Sequence, residues 1–213
     1  MAVYLCSFIP LALILYFTAP WDNLFSWHPL LMSIGFLVFM LQANTIYNQD
    51  SSLFIKKSAV FKNRLHWILH LGGLLCFVVG FCVIYMNKNR NQKQHFATWH
   101  ASFGIFAIAC VSFQCMFGVV TKYNTKLKLI LPHFKAKLYH ATFGVLGFLA
   151  ISLAFCLGLY SRWFQDRLAE LLADSAGQYL ASYLLLVVTC SLVYTLTNQV
   201  LQNYAKYLSK SQS

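Results

Sequence analysis

The sequence predicts an all-α integral membrane bundle of six transmembrane helices, and two observations support that prediction. Of the 213 residues, 59% are hydrophobic and only 10% are charged, whereas soluble domains carry about 25% charged residues. Six apolar runs approach the roughly 20 residues that a helix needs to cross a bilayer: 2–19, 28–47, 65–86, 97–121, 138–160 and 178–201. Residues 1–213 are therefore expected to form a single transmembrane domain without a separate soluble one.

The first run, 2–19, starts beside the initiator methionine, so a cleaved signal peptide is the alternative interpretation. The run lacks a basic segment before its apolar core, and it has no convincing small-residue cleavage site. Because signal peptides carry both features, we expect a retained helix.

Aromatic residues mark the ends of the later runs, where their rings anchor helices at the membrane surface. Trp27 precedes the second run, Trp67 lies near the start of the third and Trp99 near the start of the fourth. Trp163 follows the fifth run and Tyr207 the sixth. Interfacial anchoring explains these positions without any further function.

The loops between the runs predict the orientation of the chain. With the N-terminus in the cytosol, eleven basic residues fall on the cytosolic side and five on the other. Cytosolic loops are enriched in Lys and Arg, so we expect both termini in the cytosol. The net charge of +11 then reflects topology and contact with membrane lipid, with no nucleic-acid partner. The cytosolic set is Lys56, Lys57, Lys62, Arg64, Lys122, Lys126, Lys128, Lys135, Lys137, Lys206 and Lys210, and the other set is Lys88, Arg90, Lys93, Arg162 and Arg167.

The seven cysteines all lie in apolar runs, and none forms a C-x-x-C pair. This pattern is typical of small buried hydrophobic residues and argues against a disulfide framework or a zinc site. The cysteines are Cys6, Cys76, Cys82, Cys110, Cys115, Cys156 and Cys190.

Histidine is the ionisable residue type that recurs within the predicted helices. His28, His66, His100 and His140 lie near the N-terminal ends of the second to fifth runs. Successive helices run in opposite directions, so His28 and His100 share a depth near the non-cytosolic face. His66 and His140 share a depth near the cytosolic face. Ionisable residues within a membrane are usually functional, and this repeated pattern weakens the alternative that each histidine is only an interfacial hydrogen-bonding residue.

Two facing imidazoles at each depth predict two haem sites between helices 2–5. A neutral imidazole is a common metal ligand, and haem iron takes axial ligands on both sides of its plane. We therefore expect one iron between His28 and His100 and another between His66 and His140, an arrangement suited to electron transfer. The chain has no C-x-x-C-H motif, so any haem is held without a covalent bond. His70 competes with His66, because it lies four residues later on the same helix face, but the depth of His66 better mirrors that of His140.

Four short motifs resemble the cytochrome b561 family, and their order and spacing match it over nearly the whole chain. The short members called cytochrome b561 domain-containing proteins resemble this chain most. The resemblance implies one cytochrome b561-type transmembrane domain and two non-covalent haem b groups with the ligand pairs given above. It also implies a homodimer and an endomembrane location, in the endoplasmic reticulum or a vesicle. The motifs are Ser26-Trp27-His28-Pro29-Leu30-Leu31-Met32, His66-Trp67-Ile68-Leu69-His70, Trp99-His100 and Leu138-Tyr139-His140-Ala141.

The same resemblance implies a transmembrane oxidoreductase that takes electrons from cytosolic ascorbate. The implied acceptor on the other side is monodehydroascorbate or ferric iron. We expect basic side chains to attract these anions, although topology or lipid headgroups explain the same residues. The candidates are Lys62, Arg64, Lys135 and Lys137 for the donor, and Lys88, Arg90, Lys93 and His95 for the acceptor.

Two other functions remain open from the sequence. One is a haem-bearing membrane subunit that serves a partner oxidoreductase. The other is a metal or proton transporter, although the predicted helices contain almost no acidic residues for such chemistry.

Overall fold

A computed structural model describes residues 2–48, 52–123 and 132–173, together with most residues between 179 and 201. In these ranges all regular secondary structure is helical, which confirms the predicted all-α class. The helices are α1 Ala2–Thr18, α2 Leu24–Thr45, α3 Ala59–Arg90, α4 Trp99–Tyr123, α5 His133–Leu159 and α6 Arg162–Leu172.

Four helices of the described chain are long and apolar enough to cross a membrane: Leu24–Thr45, Ala59–Arg90, Trp99–Tyr123 and Phe134–Leu159. They correspond to the second to fifth predicted runs. α1 has 17 residues and spans about 25 Å, slightly less than a hydrocarbon core of about 30 Å. The sixth predicted run, 178–201, lies partly outside the described residues, and those of its residues that are described are helical.

Several helices begin earlier than their apolar runs, because capping residues and not hydropathy set the first turn. Asn23 precedes α2, and its side chain accepts a hydrogen bond from the Ser26 backbone N–H at 2.9 Å. Ser58 does the same for α3 and accepts from the Phe61 N–H at 3.3 Å. Such N-caps satisfy backbone donors that the first turn leaves unpaired.

The short helix α6 is absent from the predicted runs, because it is amphipathic and not continuously apolar. Ser161 caps its first turn and accepts a hydrogen bond from the Phe164 N–H at 3.4 Å. Phe164 and Leu168, one turn apart, are each 1% exposed, whereas Arg162 and Asp166 form an exposed ion pair on the other face. The cap followed by apolar residues at helical spacing is a signal that identifies this element.

The helices enclose two apolar clusters. The larger lies midway along α2, α3, α4 and α5 with one residue of α1, and the smaller joins α1, the end of α5, α6 and Leu185. Phe36 links the first cluster across the bundle, with its ring centroid 5.8 Å from that of Phe148 and 5.0 Å from that of Phe155. The larger cluster contains Leu11, Phe36, Leu37, Met40, Leu41, Phe77, Ala107, Val111, Phe148 and Ile151, and the smaller contains Ile14, Phe17, Leu159, Phe164, Leu168 and Leu185.

Candidate functional site

The structure brings the four predicted histidines together in two pairs. The ring centroids of His28 and His100 are 6.1 Å apart, and the ring planes lie at 82°. Those of His66 and His140 are 6.5 Å apart, with the planes at 81°. The first pair is called the outer pair and the second the inner pair, after the faces expected from the sequence. Side chains from four separate helices therefore meet two by two at opposite ends of the bundle.

Hydrogen bonds between neighbouring helices orient three of the four rings. The Nδ1 atom of His28 lies 3.0 Å from the Gly80 carbonyl oxygen. The Nδ1 atoms of His66 and His100 lie 3.0 Å and 2.9 Å from carbonyl oxygens of the facing helices. A carbonyl oxygen only accepts, so each of these Nδ1 atoms carries the ring proton. Nε2 of each ring is then unprotonated and able to bind a metal.

The separation within each pair fits one iron atom between two imidazoles. A metal–imidazole nitrogen bond is about 2.0 Å long, so two imidazoles on opposite sides of one metal place their ring centroids roughly 6.3 Å apart. The observed distances of 6.1 Å and 6.5 Å lie on either side of this value. The residues therefore fit haem iron, and His28 with His100 and His66 with His140 would each hold one group.

Glycines allow the neighbouring helices to approach the rings closely. A Cβ atom added at Gly158 would lie 3.2 Å from Cε1 of His100, and one added at Gly118 would lie 3.1 Å from Cε1 of His140. Around Gly104, one turn after His100, no atom lies within 4 Å of such a Cβ among the described residues. Small residues at helix contacts permit this kind of approach.

Each of the four helices carries a histidine of one pair and, further along, the residue that contacts a ring of the other pair. The number of residues between these two positions is nearly constant. On α3, Gly80 follows His66 by fourteen residues, and on α5, Ala154 follows His140 by fourteen. Fourteen residues rise about 21 Å and complete almost four turns, so both ends of each helix present nearly the same face. On α4, the distance from His100 to Gln114 is again fourteen residues.

On α2 the corresponding distance, from His28 to Ala43, is fifteen residues. A π-helical segment, Ile34–Met40, lies between them. A π turn closes its hydrogen bond over five residues instead of four, so it absorbs one residue without rotating the rest of the helix by a further 100° or so. The π segment thus keeps His28 and Ala43 on the same face despite the additional residue.

His70, the competing ligand, lies beside the inner pair. Its ring centroid is 4.4 Å from that of His66, with the planes at 73°. His66 is hydrogen-bonded to the Ala43 carbonyl oxygen and stands at the ligand distance from His140. The geometry therefore favours His66 as the partner of His140 and places His70 next to it.

The four cytosolic candidates lie in the first turns of α3 and α5, the same turns that lead to His66 and His140. Lys62 is partly buried, and its Nζ donates to the Ile55 carbonyl oxygen at 3.0 Å. Arg64, Lys135 and Lys137 are exposed. All four basic side chains thus surround the inner end of the bundle.

The outer candidates lie at the end of α3 and in the loop that follows it. Lys88 Nζ donates to the Gln94 carbonyl oxygen at 2.9 Å. His95, which the sequence suggests is solvated in a loop, is instead partly buried. Its ring stacks on Tyr85 with centroids 4.3 Å apart, and its Nε2 lies 2.7 Å from Asn89 Oδ1. Arg90 and Lys93 are exposed.

Sequence reasoning missed two residues at the inner end. Nε2 of Gln114 lies 2.9 Å from Nδ1 of His140. Lys122 lies over the Trp67 ring, with Nζ 5.4 Å from the centroid. Gln114 lies fourteen residues after His100, the same spacing that separates a histidine from a ring-contacting residue on α3 and α5. This spacing identifies Gln114 only after the residues that contact the other rings have been seen in the structure.

The fold and the paired imidazoles define an all-helical integral membrane protein with ligands of the kind that membrane cytochromes use for haem iron. The family model for eukaryotic cytochrome b561 matches residues 27–165, which contain all four histidines. The chain belongs to the cytochrome b561 family.

Individual relatives agree with this assignment. The transmembrane reductase CYB561D2 of Homo sapiens is 38% identical over 185 residues, which cover 87% of this chain and 79% of that protein. CYB561D2 of Bos taurus is 40% identical over 145 residues, covering 68% of this chain and 65% of that protein. The lysosomal membrane ascorbate-dependent ferrireductase CYB561A3 of Mus musculus is 31% identical over 101 residues, covering 46% and 41%.

The match to the cattle relative thus spans slightly less than two thirds of that protein's length. Family membership makes the chain a membrane protein of a family that binds haem.

Proposed function

We propose that the chain is a di-haem transmembrane reductase that carries electrons from ascorbate on the cytosolic side to an acceptor on the other side. The observation that supports this most is the pair of ring separations, 6.1 Å and 6.5 Å, at two depths of one bundle. When bound, haem supplies an iron atom that exchanges single electrons.

In this proposal the histidines bind the haem iron and their hydrogen-bond partners orient the rings. His28 and His100 would hold the outer haem b, and His66 and His140 the inner one. The carbonyl oxygens that accept from Nδ1 of His28, His66 and His100 leave Nε2 of these three rings free for a metal and would increase the basicity of the three ligands.

Ascorbate is the donor that relatives suggest, since CYB561A3 is named an ascorbate-dependent ferrireductase. Ascorbate is an anion at neutral pH, and Lys62, Arg64, Lys135 and Lys137 surround the end of the bundle that holds the inner pair. Opposite charges raise the local concentration of such a donor. At the other end, Lys88, Arg90, Lys93 and His95 would attract monodehydroascorbate or chelated ferric iron.

The remaining parts of the proposal concern topology and assembly. Residues 1–213 would form one domain of six transmembrane helices. Both termini lie in the cytosol, as the charge bias predicts. The location is an endomembrane, and the protein is a homodimer.

Spectroscopy of the purified protein in lipid nanodiscs tests this function. We expect about two haem b per chain and reduction of both by ascorbate without any added protein. A matched sample treated with dithionite gives the full reduction. If dithionite reduces the haems but ascorbate does not, the chain is instead a subunit that receives electrons from a partner enzyme.

A further inference from the structure

The four paired imidazoles share one hydrogen-bonding pattern with a single exception. His28, His66 and His100 each contact a backbone carbonyl oxygen through Nδ1. His140 instead contacts the side chain of Gln114. A backbone carbonyl is an acceptor that no substitution removes, whereas an amide side chain presents either an acceptor or a donor.

Gln114 is held against His140 by its surroundings. Its Nε2 also donates to the His140 carbonyl oxygen. Gly144 lies one turn after His140, and a Cβ atom added there would be only 2.9 Å from Nε2 of Gln114. Because glycine has no side chain, the amide of Gln114 can occupy this space. Oε1 of Gln114 is buried and has no hydrogen-bond partner in the part of the chain that the structure describes.

The orientation of this amide is linked to the position of the proton on the His140 ring. When the amide nitrogen faces Nδ1, Nδ1 accepts and the proton is on Nε2 of the ring, where it blocks metal binding. Turning the amide by half a rotation brings Oε1 to Nδ1, so that the proton moves to Nδ1 and Nε2 of the ring is free. The turn gives up the bond to the His140 carbonyl oxygen, so we expect it only when the ring binds iron.

We propose that Gln114 is the positioning residue of the inner haem ligand and that it sets the reduction potential of the inner haem. With the amide turned from the orientation in the structure, Oε1 would accept from Nδ1–H of His140 and supply the acceptor that backbone carbonyls supply to the other three rings. An acceptor at Nδ1 makes the imidazole a stronger electron donor to iron, which stabilises the oxidised state. This inference rests on the proposed function.

Two substitutions at Gln114 test the inference by spectroelectrochemical titration of the full chain in nanodiscs. Gln114→Leu keeps the volume but removes the acceptor, and we expect the reduction potential of the inner haem to rise. Gln114→Glu keeps an acceptor oxygen, and we expect the potential to stay at or below that of the parent. The outer haem should be unchanged in both, and the His140→Ala spectrum identifies which signal is the inner one.

Gly144→Ala should also remove the acceptor from Nδ1 of His140, because the added methyl group displaces the Gln114 amide. We expect a rise in the inner potential in the same direction as for Gln114→Leu. The double variant should show no additional rise, since both changes remove one contact. Ser112→Ala is the matched control on the same helix, because the Ser112 hydroxyl bonds to the Ile108 carbonyl of its own helix, and it should leave both potentials unchanged.

Loss of the inner haem in Gln114→Leu, together with its retention in Gln114→Glu, would give the same support as the potential shift. Two haems with unchanged potentials in Gln114→Leu would overturn the role of Gln114 and leave the proposed function intact. A parent protein that binds no haem would overturn both.

Discussion

The imidazole rings of His28 and His100 face each other across the space between α2 and α4, with their centroids 6.1 Å apart. Neither helix places its ring there alone, because α3 orients the first ring and α5 the second through a carbonyl oxygen. Four helices thus cooperate in one ligand pair, and the same four cooperate in the inner pair. The predictions below test this shared construction.

Removing one histidine of a pair should remove one haem. We expect His100→Ala and His140→Ala each to lower the haem content from about two to about one per chain, because one imidazole holds the iron weakly. The pyridine haemochrome assay on purified protein measures this ratio. His70→Leu is the control next to the inner pair, and retention of two haems in His140→Ala would contradict the pairing.

Adding a methyl group beneath a ring should weaken haem binding at that ring. In Gly158→Ala the new Cβ would lie 3.2 Å from Cε1 of His100, so the ring must move by a few tenths of an ångström. We expect the outer haem to dissociate several-fold faster, measured by transfer to apomyoglobin. Gly147→Ala is the control on the same helix, because its Cβ would lie at an ordinary 3.8 Å from Cys110. Equal dissociation rates in the two variants would argue against close packing of the His100 ring.

Deleting one residue should be tolerated in α2 but not in α3. Val38 lies in the π segment and is 38% exposed, so its deletion should convert that segment to regular α-helix and restore a fourteen-residue separation. Leu75, 63% exposed on α3, has no such segment around it, and its deletion should rotate one end of the helix by about 100°.

The haem content of the two deletion variants distinguishes these outcomes. We expect two haems in the Val38 deletion and loss of at least one in the Leu75 deletion. Loss of haem in both variants would show that the π segment does not correct the register.

Tyr47 should make the stability of the protein depend on alkaline pH. Its hydroxyl bonds to Asn63 Oδ1 at 2.6 Å, and burial raises the pKa of Tyr47 to about 12, above a usual value of about 10. The unfolded chain therefore loses this proton first, and the free energy of unfolding falls as the pH rises from 10 to 12.

Thermal unfolding of the parent and Tyr47→Phe between pH 8 and pH 12 measures this effect. The difference in melting temperature between the two should shrink as the pH rises through that window. A constant difference across the window would contradict a raised pKa for Tyr47.

Much of the architecture could be predicted from the sequence, because a bilayer leaves few alternatives for long apolar runs. The second to fifth runs became the four long apolar helices, and the direction of each helix was enough to sort the histidines into pairs. The ring separation from His140 favours His66 over His70 as its partner, whereas the spacing of four residues on one helix face does not separate the two.

Other features depend on contacts that a sequence does not display. The Gln114 amide meets His140 only after α4 and α5 have packed, and Gly144 leaves room for the amide. The amino-acid composition of the π segment in α2 does not predict it. The segment is explained by the separation of His28 from Ala43, which is one residue longer than the fourteen found on the other three helices. The amphipathic helix α6 does not follow from continuous apolar runs, because its buried residues recur at helical spacing among charged ones.

The ratio of haem b to polypeptide in the purified wild-type chain tests the central claim most directly. Our account predicts about two haems per chain, with low-spin spectra from two imidazole ligands and full reduction by ascorbate. A chain that folds in lipid but binds no haem, or only one, would contradict it.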